Sequence, residues 1–318
     1  MIRIFRSALV FSLSKTGLAG FLAFSFGGLG LVLTVGIAAV IDRATSRYIQ
    51  QDVQQELGGI AAQMRERLDS GIFERSREIQ LVASLDSIRD PELPVDAKRT
   101  ILEKLKATYP DYALVSIVSP DGRVLADSNR TAEGSDVSKR QYFVEGKNTP
   151  SVGHVHDAEV PTELFPQRNG EIPRVLDLAA PIIQKNGLFG GMVVAHLHWL
   201  WARGVQDSVL KPLKERLGTE ILIVAKDGTV LLGPASVQGQ HLILDSITSA
   251  RAGAAGSLTE LWPDGKLYLT GFDQAVGYRD YPGLGWTVLV RQQLDAAMAP
   301  AREMRTGIIE GLLPGEVE

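Results

Sequence analysis

A chain of 318 residues, 45% of them hydrophobic, has enough apolar surface for two or three packed domains. It contains no cysteine, which excludes thiolate catalysis, disulfides and cysteine-ligated zinc. Its net charge is −4 and no Lys/Arg-rich stretch is interleaved with aromatic residues, so nucleic acid is not expected as a partner.

The first element is an apolar segment, residues 17–41, in which no residue is charged. A helix of this length rises about 37 Å, enough for the roughly 30 Å hydrocarbon layer of a bilayer. A cleaved signal peptide is the alternative, but its apolar core is usually about 7–15 residues long. Arg3, Arg6 and Lys15 precede the segment, so residues 1–16 are expected in the cytoplasm. The sequence therefore predicts a single-pass protein of the cell inner membrane, held in the lipid bilayer by residues 17–41, with the bulk of the chain periplasmic or extracellular.

Apolar residues recur at steps of three and four from Ile49 to Leu85 and predict a long helix over residues 42–85. Such a helix is about 66 Å long, and Pro91 and Pro94 mark its end. Two interpretations stay open. The helix is either a coiled-coil stalk that makes a homodimer, or a spine against which the later domains pack.

One nine-residue pattern occurs twice, at residues 117–125 and again at residues 223–231. Each copy is an apolar run, an Asp-Gly pair and a second apolar run. This order predicts a β-hairpin with a type I′ turn, because Asp and Gly tolerate the two positive φ angles that such a turn needs. The repetition indicates one small α/β unit used twice.

The rest of the chain supplies the other elements of each unit. A helix over residues 97–108 precedes the first hairpin, and a polar, irregular stretch over residues 127–175 follows it. Stretches of that length in a compact domain usually bind something or rearrange. Further elements are predicted as strands at 174–183 and 191–198, a connecting helix at 199–217, strands at 267–277 and 286–291, and a last helix at 292–309.

Several stretches, in their order and spacing, carry a family resemblance. After the membrane segment and the striped helix come Ser138–Phe143, Leu176–Pro181 with Gly187–Trp201, and Gly277–Arg279 through Gly283–Trp286. In these features the chain resembles the double Cache (PAS-like) extracellular sensor domain of bacterial transmembrane receptors, over residues 42 to about 305.

The resemblance implies an α+β fold with an N-terminal transmembrane helix, a long spine helix and two tandem PAS-like modules built on antiparallel sheets. The expected divisions are a cytoplasmic N-terminus at 1–16, the transmembrane helix at 17–41, the spine at 42–85, a membrane-distal module at 86–198, the connecting helix at 199–217, a membrane-proximal module at 218–292, and a C-terminal helix and tail at 293–318.

A ligand site is predicted at Arg140, Tyr142 and Phe143. The fork of guanidinium donors suits a carboxylate, and the two aromatic rings supply an apolar wall. The resemblance implies the same role, since distal Cache units hold ligands with an Arg and an aromatic residue two positions later. The alternative is that Arg140 pairs with Asp136 at the surface.

By resemblance, amino-acid-binding Cache modules also use a Tyr in the following loop and an Asp on the last strand, and here His156 and His196 occupy those positions. Two imidazoles favour a small carboxylate or a sugar-like ligand over an amino acid. Asp157 is the remaining ligand-binding candidate, and it would add an oxygen if the histidines bound a metal. The pairs His154/His156 and His196/His198 each place both rings on one strand face, so zinc or copper is an alternative. Packing and ligand contacts are the favoured explanation, and neither a metal nor another cofactor is expected.

The sequence contains no Gly-x-Ser-x-Gly elbow, no His-Glu-x-x-His and no phosphate-binding loop, so an enzyme is not expected. The predicted function is a membrane-anchored sensor of a small molecule. The usual outputs of the family (diguanylate cyclase, histidine kinase, chemotaxis signalling) are not encoded, and residues 306–314 are too short for a second span, so a truncated gene product is expected. The alternatives are an anchored binding protein with a separate signalling partner, a structural or dimerisation module without a ligand, and an exported enzyme.

Overall fold

The computed structural model describes residues 17–158, 173–211 and 218–303. The described residues divide into two compact units, one of residues 17–53 with 295–303 and one within residues 54–294. Helix α1 runs from Leu18 to Ser84 and contributes to both units. Its N-terminal part contains an 18-residue window with a mean hydropathy of 2.2, no part of which is buried. By length and composition this helix is able to cross a membrane.

The unit of residues 54–294 contains two helix-and-sheet modules. Its helices after α1 are α2 (Asp86–Arg89), α3 (Val95–Thr108), α4 (Gln141–Glu145), α5 (Leu200–Leu210) and α6 (Asp245–Arg251). A short helix, α7 (Leu294–Ala297), follows in the chain. Its strands are β1 (Tyr112–Val118), β2 (Val124–Asp127), β3 (Ser151–Asp157), β4 (Arg174–Ile183), β5 (Phe189–His198), β6 (Glu220–Val224), β7 (Val230–Leu232), β8 (Gly256–Leu261), β9 (Leu267–Gln274) and β10 (Thr287–Gln293).

The two sheets have the same topology. The first sheet has the strand order β2-β1-β5-β4-β3, and the second has the order β7-β6-β10-β9-β8. All of their neighbouring strands are antiparallel. The hairpin predicted from each Asp-Gly pair forms one edge of its sheet, and its first strand pairs with the last strand of the module. The predicted α+β fold with two tandem antiparallel modules is therefore confirmed.

The turn of each Asp-Gly hairpin differs from the predicted type I′. In both copies only the glycine has a positive φ, +91° at Gly122 and +108° at Gly228. The Gly122 N–H donates to Ser119 O at 3.0 Å, and the Ser119 N–H donates to Arg123 O at 2.8 Å. This is a three-residue loop, a type I turn followed by a left-handed glycine. Pro120 favours it, since its ring fixes φ near −65° at the first loop position.

The C-terminal part of α1 is a spine buried along its apolar stripe. Met64, Leu68 and Ile72 are fully buried. Glycines on this helix mark close approaches: a Cβ on Gly71 would lie 2.4 Å from Cζ2 of Trp201, whose ring occupies the space. From residue 54 to residue 84 the predicted stripe thus packs against the modules within this unit, as the spine interpretation expects.

Four spine side chains, spaced by four residues, contact the end of β9 and the segment that connects β9 to β10. Residues at this spacing lie on one face of a helix. The contacts are Arg65 Nε to Asp273 Oδ2 at 3.2 Å, the Gly277 N–H to Asp69 Oδ2 at 3.0 Å, the Phe73 and Tyr278 rings at 5.4 Å, and Arg77 Nη2 to Asp280 Oδ2 at 2.9 Å. Of the three acidic residues in these contacts only Asp69 is buried, with 2% of the residue exposed.

The stretch over residues 127–175, predicted as irregular, contains helix α4 and strand β3. β3 was missed because it is an edge strand whose residues are mostly half-buried, so it lacks the apolar alternation of a covered strand. The predicted connecting helix begins as expected with α5. The expectations for residues 1–16, 212–217 and 304–318, and for the part of the irregular stretch at 159–172, lie outside the described residues.

Candidate ligand-binding site

The first sheet bears a cavity of about 340 Å³ on the face covered by α4 and the residues before it. Alternate residues of the central strands face it, because side chains alternate between the two faces of a sheet. His196 on β5 lies directly across from Leu114 on β1 and from Asp177 on β4. The polar and charged residues that line the cavity are Ser116, Ser135, Asp136, Arg140, Gln141, Tyr142, His154, His156, Asp177 and His196.

Asp177 joins the two predicted histidines. Its Oδ1 accepts a hydrogen bond from Nδ1 of His196 at 2.6 Å, and its Oδ2 lies 2.9 Å from Nε2 of His156. His156 comes from the edge strand β3 and reaches Asp177 diagonally, since its direct cross-strand partner is Val175. The other ring nitrogen of His156 lies 2.9 Å from the carbonyl oxygen of Asp157.

The electrostatic balance at Asp177 favours the ionised form. Burial by itself raises the pKa of this carboxyl group, because only 6% of the residue is exposed. The neighbouring His196 and the hydrogen bonds from His156 and His196 outweigh burial and hold the pKa well below its usual range. Asp177 is therefore an acceptor with both oxygens occupied by imidazole nitrogens.

Helix α4 brings Arg140 and Tyr142 to the same cavity. Arg140 precedes the first turn in an extended conformation, and its carbonyl oxygen accepts the N–H groups of Phe143 and Val144 at 3.0 Å each. The Tyr142 ring packs edge-on against the His196 imidazole, with 5.8 Å between centroids. The structure thus brings together four of the six sequence-predicted residues, which are Arg140, Tyr142, His156 and His196.

Phe143 and Asp157 do not line the cavity. Phe143 is 1% exposed, lies in the hydrophobic core of the first module, and carries the Lys147 ammonium 4.6 Å from its ring centroid. Asp157 accepts a hydrogen bond from Nε of Arg174 at 3.3 Å. For Phe143 the cause is helical spacing, since a residue next to Tyr142 points about 100° away from it.

Asp177 is the site residue that the sequence interpretation missed. It is the one acid in the otherwise apolar run from Val175 to Ile183, and a lone carboxylate in a buried strand is itself a signal, because burial is costly unless the charge is paired. Among the described residues, no group of three or more histidine or acidic side chains has an arrangement that could hold a metal ion.

The comparisons with known proteins agree with this geometry. Residues 45–301 match a family model described as "Cache domain", so the chain belongs to the Cache domain family, here in its double form. No curated protein sequence matches the chain.

Three solved structures show the same fold. The extracellular ligand binding receptor from Desulfohalobium retbaense DSM5692 is 14% identical with a TM-score of 0.55, and the match covers 73% of this chain and 39% of that one. The ligand-binding domain of the Pseudomonas aeruginosa PAO1 chemoreceptor PctC, in complex with GABA, is 17% identical (TM-score 0.56; 76% and 99% covered). That of the Pseudomonas fluorescens chemoreceptor CtaA, in complex with L-alanine, is 16% identical (TM-score 0.55; 78% and 100% covered). These matches show that the chain has the same fold as these ligand-binding domains.

Proposed function

We propose that this chain is the extracytoplasmic sensor of a membrane receptor, anchored in the cell inner membrane by the apolar part of α1, and that it binds a small carboxylate in the first-sheet cavity. The observation that supports the ligand class is the occupied state of Asp177. Both oxygens of Asp177 accept from imidazoles. The cavity therefore offers two donors to an anion: the guanidinium of Arg140 and, when it carries a proton, Nε2 of His196.

The ligands named for two of the similar domains, GABA and L-alanine, both carry a carboxylate and an ammonium group. In this chain the buried acid that an ammonium group would need is already bonded to His156 and His196. An ammonium group would have to share these oxygens with two imidazoles, so the proposal favours carboxylates without an ammonium group.

A matched ligand series tests this assignment. Propionate, L-lactate and L-alanine share a three-carbon carboxylate and differ only in the hydrogen, hydroxyl or ammonium on the second carbon. A ligand present at about 100 times its Kd stabilises by about 2.7 kcal/mol, which raises the Tm by roughly 5–10 °C. Lactate or propionate is expected to raise the melting temperature of the full chain, and alanine is not.

Arg140→Gln is expected to abolish that rise, while Lys139→Gln, at the exposed neighbour, is the matched control. A rise with alanine alone would show that the site takes an ammonium group and would refute the ligand class. If none of the three carboxylates raised the melting temperature, the result would instead favour the structural alternative, a module that binds no small molecule.

For the signal we propose that the ligand joins α4 to strands β3–β5 and displaces the spine relative to the first sheet. A small shift at a packed helix is a common output of such sites. Hydrogen exchange with and without the bound ligand is expected to change in α4 and in the spine over residues 54–84. A change confined to the cavity would refute the transmission step alone.

A further inference from the structure

The first sheet has a second cavity, of about 220 Å³, on the face opposite the predicted ligand site. We call it the helix-side cavity. It lies between the sheet and the chain of α2, α3 and their connection, and its apolar walls are Ile88, Leu93, Val95, Ile117, Leu125 and Ile182. Ile117 follows Ser116, which lines the first cavity, so the two sites are on opposite sides of one strand.

The floor of the helix-side cavity is apolar and buried, whereas its rim is exposed. Ile88, Ile117 and Ile182 are 2–3% exposed, whereas Val95 and Leu125 are 41% and 42% exposed. Exposed apolar side chains grouped around a hollow are typical of ligand grooves and contact surfaces. The helix-side cavity therefore offers an apolar ligand a hydrophobic contact surface.

A cation faces this apolar surface. Lys98 of α3 lines the cavity and is half-buried. Among the residues at 17–158, 173–211 and 218–303, none accepts a hydrogen bond from its ammonium group. No carboxylate of these residues lies within 4.0 Å of it. Burial lowers the pKa of Lys98, and Asp90 opposes this effect from a distance. A half-buried ammonium without an ion pair is a receptor for an anion.

The second cation of the cavity is fixed in place by the sheet. Arg89 donates from Nε to the Ile183 carbonyl oxygen at 2.5 Å and from Nη2 to the Gln184 carbonyl oxygen at 3.5 Å. These contacts hold its guanidinium at the wall, where its charge adds to the positive potential near Lys98.

We propose that the helix-side cavity binds a short aliphatic monocarboxylate, with the hydrocarbon chain on the isoleucine floor and the carboxylate on Lys98. The volume of the helix-side cavity equals that of about seven water molecules at about 30 Å³ each. Hexanoate, with about eight non-hydrogen atoms, is of a size that fits this volume. This site is independent of the proposed first-sheet site, because it uses the other face of the sheet and none of the same side chains.

Calorimetric titration of hexanoate into the full chain in lipid nanodiscs, with empty nanodiscs subtracted, tests the site. A Kd on the order of 1 mM is expected. Lys98→Gln is expected to weaken binding about tenfold, because it removes a charged hydrogen bond, while Lys104→Gln, at an exposed lysine of the same helix, leaves it unchanged. Hexylamine, which has the same chain and the opposite charge, is expected not to bind.

Leu125→Asp provides a second variant at an exposed rim position and is expected to weaken hexanoate binding to a similar degree through repulsion. Absence of binding up to about 10 mM hexanoate, or equal binding by Lys98→Gln, would overturn the proposal. Loss of hexanoate binding in Arg140→Gln, with Lys98→Gln unaffected, would place the acid in the first-sheet cavity. That outcome would also overturn the second site while supporting the proposed function.

Discussion

Replacing Asp69 of the spine by asparagine is expected to stabilise the protein at neutral pH and to do so less as the pH falls. Burial raises the pKa of this carboxyl group from 3.8 to about 6, against the opposing effects of the Gly277 N–H and Arg65. Because the folded chain holds this proton more tightly than the unfolded chain, the contribution to stability is complete below about pH 4. It is lost as the pH rises through about 6.

The difference between 3.8 and about 6 corresponds to about 3 kcal/mol. Asparagine is neutral at every pH and keeps an oxygen to accept the Gly277 N–H, so it avoids the cost of a buried charge. The gap in unfolding free energy between Asp69→Asn and the wild type is therefore expected to grow by about 2–3 kcal/mol from pH 4 to pH 7. Urea denaturation, followed by tryptophan fluorescence at intervals across this range, measures the gap.

Asp280→Asn is the matched control, because Asp280 pairs with the spine through Arg77 but its side chain is 66% exposed. Its gap from the wild type is expected to stay below about 1 kcal/mol at each pH of the series, because an exposed ion pair contributes little to stability. A gap for Asp69→Asn that stays flat, or that grows toward acid pH, would refute the argument that burial of Asp69 sets its titration.

Two further predictions concern the spine and the cavity. Gly71→Ala is expected to cost about 1–3 kcal/mol in unfolding free energy, because its Cβ would lie 2.4 Å from the Trp201 ring. Gly59→Ala, where nothing lies within 4 Å, is expected to stabilise by about 0.5–1 kcal/mol. Equal effects of the two substitutions would contradict the close packing of Gly71 against Trp201. Asp177→Asn is expected to lower the unfolding free energy at pH 7 by about 2–4 kcal/mol, because asparagine keeps one acceptor oxygen for two imidazoles, puts an NH2 group in place of the other and removes the buried negative charge. His154→Gln, at the exposed histidine of the same wall, is expected to change it by less than about 0.5 kcal/mol; a comparable loss there would show that Asp177 has no special role.

The contact between the first module and the second has a defined chemistry. The Leu231 carbonyl oxygen on β7 accepts the indole N–H of Trp199 at 3.1 Å and lies 3.5 Å from Nη1 of Arg174. Arg174 also binds Asp157, which follows His156 of the cavity wall. A short series of hydrogen bonds therefore leads from the predicted ligand site to the second sheet, alongside the path through the spine.

Much of the architecture could be predicted from local patterns. Strand β4 was predicted with its observed bounds, 174–183, because it is a nearly continuous apolar run. Strand β3 and the turn type were not, since an edge strand lacks a clear period and an Asp-Gly pair fits more than one hairpin loop.

The candidate site was predicted in part. Arg140 and Tyr142 were found from their spacing within a family pattern, and the structure places both at the cavity. Asp177 was missed because nothing near it in the chain shows that it has partners. Its histidine partners are 21 and 19 residues away, and strand register alone brings them within hydrogen-bond distance.

The sequence by itself determined what depends on short-range spacing: an apolar segment of membrane length, a helix with a buried stripe, and a hairpin unit used twice. Tertiary structure alone decided which charges are buried and what they contact. Asp69 lies 208 residues from Gly277, and its affinity for a proton depends on the water that this contact excludes. Burial and ion pairing arise from groups distant in the chain, so local patterns identify the elements but not the chemistry between them.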